Sequence, residues 1–326
     1  MTTPFIQDLD YFDRKISKMW ITGQGKTFVT HGEGAGNQGV WNAAGQVAGI
    51  YDAPVKTTWK TSAFQEGSTH RATKRLHRDM MLGFHITHTL LAKGQDADRS
   101  AEENESRFRQ IFEYTEDPWD DDPEPTTLHI ETEQSGERMI DVFLHDTPQF
   151  EADIDPISQQ YFGLILPLRA GKPSWYEDDV VTTASSDATS ATLQIEVSNP
   201  TDQPMAHQWI LTRATWEVPD VSWRGGRNAR TPGGTFASRT ITVPVGDTQG
   251  GCVVSLDRSE DYMVRDVHYT NMLPLLGGKL FKHTVPPYTQ SQTLTISYTN
   301  APAGGAMAQL VQPRHWSRPW GLEHAE

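Results

Sequence analysis

Four places in this chain carry residue types at spacings that could do chemistry. Gly34-Ala-Gly36-Asn-Gln-Gly39 follows a strand-like stretch, Lys26–Thr30, and spells the G-x-G-x-x-G of a dinucleotide loop. That chemistry needs a helix opening at the glycines, so that its N-terminus meets a pyrophosphate, and then a parallel strand with an acid for the ribose. Here Gly45 and Gly49 break the following segment, Asp52 comes too early and no βαβ alternation continues. The run reads as a flexible loop, and no cofactor is expected. His85 and His88 form H-x-x-H, the second place. Positions three apart on a strand point to opposite faces, so the pair cannot chelate one metal. The acidic run Glu116–Pro125 could attract calcium, but it lacks the glycine turn and spacing of a calcium loop and reads as solvated. Lastly, Trp209, Trp216 and Trp223 could stack on sugar rings. Trp209 and Trp216 are seven apart, facing oppositely on one continuous strand, and so read as core or interface aromatics.

Enzymatic signatures are otherwise missing. No G-x-S-x-G, H-E-x-x-H, P-loop or Cys-His pairing occurs, and the paired acids Asp120 and Asp121 fall in the solvated run. The single cysteine, Cys252, excludes an intrachain disulfide and a cysteine-rich zinc site. It reads as a small apolar strand residue of a protein made in a reducing cytoplasm. A net charge of −14 argues against nucleic-acid binding. No apolar run approaches the roughly 18 residues of a spanning helix, and Met1–Asp10 lacks the basic and apolar regions of a signal peptide.

Period-two patterning supplies the framework. Leu128, Ile130 and Thr132 alternate with polar residues, Ser135-Gly136 turns the chain, and Ile140, Val142 and Leu144 share a face on the return. Phe162, Leu164, Leu166 and Leu168 make a third strand; Met80, Leu82, Phe84 and Ile86 make another. Residues 1–22 have mixed three- and four-residue apolar spacing, predicting a short amphipathic helix or a docking arm. Residues 50–64 are β-prone but carry Pro54, which suits an edge. One helix, about 100–114, opens with the capping box Ser100-Ala-Glu-Glu103 and buries Phe108, Ile111 and Phe112. Beyond Trp175 the composition turns to Ser, Thr, Ala and Asp, so 1–178 and 186–326 are expected as separate domains joined by a connector around Val180–Asp187. Strands at 193–197, 208–216, 239–245, 251–257, 280–284 and 292–298 predict a β-sandwich whose core includes Ile195 and Ile296. The fold class is therefore mainly β, a β-rich domain with one main helix followed by a sandwich.

The order of these pieces resembles the distal tail proteins of long-tailed phages, in particular the minor tail proteins of siphovirus-type actinobacteriophages. The resemblance rests on Arg78-Asp-Met-Met-Leu-Gly-Phe-His-Ile86, the helix Glu105–Phe112 and the hairpin from Thr127 through Arg138–Leu144. It continues through Lys172-Pro-Ser-Trp175 and Val197-Ser-Asn-Pro-Thr-Asp-Gln-Pro204. The most specific piece is Gln312-Pro-Arg-His-Trp-Ser-Arg-Pro-Trp-Gly-Leu322. It implies an N-terminal belt domain and a galectin-like sandwich. It also implies a hexameric ring at the end of the tail tube, with tube, tape-measure and other tip proteins as partners. The protein would reside in the virion, assembled in the host cytoplasm. The glycine-rich residues 23–50 and acidic 113–126 depart from the pattern. Galectin sugar-binding residues are not in recognisable order; a carbohydrate-binding or host-recognition tail protein is the alternative reading, and an enzyme with an unrecognised acid pair is third.

Within the first domain a basic patch, Arg71, Lys74, Arg75 and Arg78, is complementary in charge to Asp117, Asp120 and Asp121 with their acidic neighbours. A head-to-tail ring needs two such different surfaces on each subunit. Trp20, Phe64 and Trp119 are the expected apolar contributors. The alternative is that both charged stretches are merely solvated.

Overall fold

The computed structural model describes residues 18–89, 99–121, 123–151 and 155–323. The chain divides into two compact units. The first runs to Trp175 and also includes Ser317–Gly321; the second takes Tyr176–Trp316 and the residues from Leu322. The structure is mainly β, and no helix among the described residues is long and apolar enough to cross a membrane.

In the first unit the strands are β1 (Lys18–Gly23), β2 (Lys26–His31), β3 (Val40–Ala48), β4 (Val55–Lys60), β5 (Thr69–Arg75), β6 (Arg78–Thr87), β7 (Thr126–Thr132), β8 (Gly136–Leu144), β9 (Gln149–Glu151) and β10 (Tyr161–Ala170). They pair antiparallel in the order β2-β1-β7-β8-β10-β6-β3, and β9 also pairs with β10. The expected alternation sets the burial: Met80, Leu82, Phe84 and Ile86 of β6 and Phe162, Leu164, Leu166 and Leu168 of β10 all point into the core. Helix α1 (Ala101–Arg109) is capped by Ser100 and Glu103 as the sequence predicts. Its Phe108 meets Phe28, Phe84 and Phe112 edge-on, with ring centres 4.8–5.1 Å apart, which ties the helix to the sheet. A four-residue helix, α2 (Pro156–Gln159), precedes β10.

Two expectations are corrected here. Lys18–Gly23 is a strand, so the helix-like spacing of 1–22 does not hold there, and the rest of that stretch lies outside the described residues. Helix α1 stops at Arg109 rather than about 114, because Ile111 and Phe112 bond back three residues in tightened turns; both still bury their rings or chains. The glycine-rich run, read as a loop, is a series of hydrogen-bonded turns at which no helix opens. Gly39, at φ +75°, leads directly into β3, and any Cβ there would lie 2.4 Å from the Thr87 carbonyl oxygen.

In the second unit the strands are β11 (Trp175–Ser186, whose first residue belongs to the first unit), β12 (Ala191–Asn199), β13 (Gln208–Thr212), β14 (Ala214–Pro219), β15 (Trp223–Arg224), β16 (Thr231–Pro232), β17 (Thr240–Val245), β18 (Gly251–Ser255), β19 (Val264–Asp266), β20 (Thr289–Thr299) and β21 (Ala306–Trp316). Sheets β19-β18-β13-β21-β11 and β12-β20-β14-β17 share one core, including Ile195 and Ile296 at 2% and 0% exposure. The expected single strand 208–216 breaks at Arg213. The Nε1 of Trp216 donates to the Thr212 carbonyl at 2.7 Å, and the chain passes from one sheet to the other. Trp209 and Trp216 therefore both enter the core at 0% exposure. The expected connector at 180–187 is largely strand β11, whose polar residues reflect exposure rather than irregular backbone. Conversely, 280–284 is not a strand. Asp220, itself buried, accepts from the Lys282 and His283 amides at 3.0 and 2.9 Å, which takes the place of a ladder.

Candidate functional site

The charged stretches singled out in the sequence meet very different fates. Arg71, Lys74 and Arg75 lie on β5, which with β4 forms a two-stranded antiparallel ribbon exposed at every strand residue. None of the three forms a salt bridge among the described residues. Across the ribbon the Trp59 and His70 rings meet edge-on at 5.2 Å, and within β4 the Trp59 Nε1 donates to Thr57 Oγ1 at 3.0 Å. Phe64, at its tip, is fully exposed at φ +66°, and Trp59 is 56% exposed.

Arg78 is the correction. It is fully buried at the start of β6 and cannot meet another subunit. Its guanidinium donates to the Pro173, Gly49, Ile50 and Ser317 carbonyl oxygens at 2.8–3.1 Å. Burial pushes its pKa down to about 10, opposed by Asp52, so it stays charged at neutral pH. Sequence reasoning counted it as a surface cation because it continues a basic run; the apolar strand that begins at the same residue was the available signal.

A second buried cation, Arg138 of β8, donates to the Arg318 and Gly321 carbonyl oxygens at 3.1 and 3.0 Å. Arg318 in turn pairs with Asp52 at 2.7 Å and lies 4.6 Å from the Tyr51 ring centre. Together these contacts hold Ser317–Gly321 against the first unit as a C-terminal clasp.

The acidic segment is exposed from Tyr114 through Asp121. Asp117 accepts from the Trp119 amide at 2.9 Å and so shapes the turn that presents Trp119, which is 89% exposed. Its two ends are tied to the β1–β2 turn: Glu113 accepts from Gln24 Nε2 at 3.1 Å and Glu124 from the Gly25 amide at 2.6 Å. Asp120 and Asp121 stand out in the same turn region. Trp20 is less available than Trp119. It is half-buried, stacked 5.0 Å from the His129 ring, with the Lys18 ammonium 5.0 Å from its ring centre.

The remaining chemical candidates are absorbed by structure. His85 packs against Trp41 and bonds Tyr161, while His88 lies past the end of β6. Among the described residues no group of three or more His, Cys, Asp or Glu side chains is placed to hold a metal ion. Cys252 is buried in β18, where burial pushes its thiol up to about 12. Trp209 and Trp216, buried in the core, have no face to offer a sugar ring, and Trp223 is half-buried.

The fold is like that of a solved phage hub protein. The crystal structure of SPP1 Dit (gp 19.1), described as a paradigm of the hub adsorption apparatus in phages infecting Gram-positive hosts, aligns with a TM-score of 0.52 at 11% identity. The alignment covers 90% of this chain and 98% of that one. In sequence, the chain is similar to minor tail protein Gp27 of Mycobacterium phage D29 and to that of Mycobacterium phage L5. Each is 25% identical over 329 residues, covering 88% of this chain and 94% of the relative. No family model matches the chain. The resemblance read from the sequence is borne out by these relatives.

Proposed function

We propose that the chain is a structural protein of a phage tail tip. It closes into a ring, hexameric in this reading, at the distal end of the tail tube and joins the tube to other tip proteins. Its role is one of assembly rather than catalysis. The tube protein and the tape measure are its neighbours, and it resides in the virion. The similarity to the Gp27 minor tail proteins and the likeness to the Dit fold support a tail role.

The observation that carries the ring is the β4–β5 ribbon. A two-stranded ribbon with no buried side chain is marginal in water by itself. This one also exposes Trp59 and Phe64. Both features are resolved if the ribbon lies on a neighbouring copy. A closed cyclic assembly needs two unlike surfaces on each subunit. The ribbon with Arg71, Lys74 and Arg75 is one, and the acidic segment with Asp117, Asp120, Asp121 and Trp119 is the other. Exposed ion pairs contribute only about 0–1 kcal/mol each, so Phe64, Trp119 and Trp59 supply most of the association and the charges supply register. Trp20 contributes at most its exposed edge.

The test compares wild type with R71E/K74E/R75E by sedimentation at low and high salt. Arg78 is left intact, since replacing it would empty a buried cage. Wild type is expected to form one ring species, six-fold in electron micrographs, and the variant to dissociate. A wild type that stays monomeric at every concentration and forms no ring in particles ends the ring reading. Rings of equal strength in both proteins end only the charged interface.

A further inference from the structure

We propose that residues 222–239, at one end of the sandwich, form the docking surface for an acidic protein of the tail distinct from this chain. The inference rests on the tail-tip reading only for where that partner is sought. From Val221 to Gly246 the chain carries Arg224, Arg227, Arg230 and Arg239 and not one Asp, Glu, Lys or His, in a protein of net charge −14. Arg239 is committed internally, paired with buried Asp220 at 3.0 Å and donating to the Leu280 carbonyl at 2.7 Å. Arg224 and Arg227 are exposed, Arg230 is half-buried, and none of them forms a salt bridge among the described residues. Asp202 and Glu323 lie within electrostatic reach of Tyr288, against which Arg227 packs.

These cations are presented on a pre-formed loop. Ser222 organises it: its Oγ donates to the Gly233 carbonyl at 2.7 Å and accepts from the Phe236 amide at 3.2 Å. The Asn228 amide donates to the Tyr288 carbonyl at 3.2 Å. Gly225 sits at φ +107°, where a Cβ would lie 2.1 Å from the Ala229 carbonyl oxygen, so the tight approach requires glycine. The Arg227 guanidinium rests 4.7 Å from the Tyr288 ring centre, which restrains its plane and leaves its edge for acceptors. A loop already ordered loses little conformational freedom on binding.

The neighbouring apolar groups select the kind of partner. Phe236 is 48% exposed and Leu280 is 38% exposed, next to the arginines through Arg239. Arginine beside an exposed aromatic and an exposed leucine is the composition of a protein–protein contact, and the exposed Lys279 and Lys282 on either side of Leu280 add to its positive charge. A phosphate polymer would gain nothing from Leu280. The ring reading gives the chain's own acidic segment to the β4–β5 ribbon, which leaves this loop for a different acidic surface.

The experiment is arginine modification by phenylglyoxal, read residue by residue by mass spectrometry, on free protein and on intact particles. Modification of Arg224, Arg227 and Arg230 is expected in the free protein and lost in particles. Arg71 and Arg75 in the same digests report the ring separately, so either reading can fail alone. Equal modification of the three loop arginines in both samples overturns the docking surface. So does protection that appears only when particles are mixed with purified cell-wall polymer. In phage carrying R224E/R227E/R230E, with R224Q/R227Q/R230Q as the milder variant, unchanged sedimentation of the free protein excludes misfolding. Suppressors are then expected as acid-to-lysine changes in another tail protein. Suppressors within residues 113–125 of this chain would make the occupant a second copy and overturn the distinct partner.

Discussion

The β12–β20 ladder and the β4–β5 ladder are both antiparallel, and each contains one register shift. In the first, Ile195, Val197, Leu294 and Ile296 alternate with exposed residues and point into a shared core. In the second every residue faces water. The hydrogen bonds are of the same kind, so they do not account for the difference in support. A ladder hydrogen bond contributes little net, because the unfolded chain bonds to water as well. Side-chain burial decides which strands the folded monomer holds and which it offers outward.

The largest test of that contrast is Trp216→Ala, which empties a fully buried site against Tyr298 and is expected to cost about 3–5 kcal/mol in denaturant titration. Ile195→Ala or Ile296→Ala should cost on the order of 2–5 kcal/mol; a loss below about 0.5 kcal/mol would deny the site a core role. Acid should reach the sandwich through His207, which is buried beside Trp209 with its pKa depressed by burial to about 4, opposed by Asp220. The unfolded chain takes up that proton first, so the contribution is whole above pH 6.5, falls as pH drops from 6.5 toward 4, and is flat below. The change amounts to about 3 kcal/mol. His207→Gln should flatten the stability profile across that window, and an unaltered profile would remove His207 as its cause. The ribbon is expected to do least: Trp59→Ala should change monomer stability by no more than about 0.5 kcal/mol, although it weakens the proposed ring. Limited proteolysis of the free protein should cut first between Lys60 and Thr69, and a first cut within 127–145 would reverse the comparison.

What the sequence revealed follows the same physics. Strands β6, β7, β8, β10, β12 and β20 were legible because one face is apolar and the other polar, and α1 because Ser100 and Glu103 announce its start. Strand β21 was not, because its inward face is built from Ala306, Ala308, Gln312 and Arg314 as much as from Leu310 and Trp316. Those polar groups are satisfied only across the fold. Gln312 accepts from the Ser198 amide at 2.9 Å and donates to the Glu196 carbonyl at 3.1 Å, and Arg314 bonds Ser198. Segment 280–284 misled for the opposite reason, since it looks strand-like but the Lys282 and His283 amides go to Asp220. Of the surface residues, Arg71, Lys74, Arg75, Phe64 and Trp119 are exposed as a contact would require, whereas Arg78 belongs to the apolar strand that begins there and is surrounded by backbone carbonyls.

Those carbonyls set an order in time. Arg78 and Arg138 are among the first half of the chain to leave the ribosome, yet Ser317, Arg318 and Gly321, which complete their cages, are made only after nearly all of the second unit. At a synthesis rate of about 5–20 residues per second, the two arginines wait on the order of ten seconds for their last partners. A buried guanidinium short of acceptors is costly, so during that interval the first unit lacks part of its finished stability. The chain thereby couples completion of its first unit to synthesis of its last residues, and truncated translation products lack those contacts before any quality-control protease meets them.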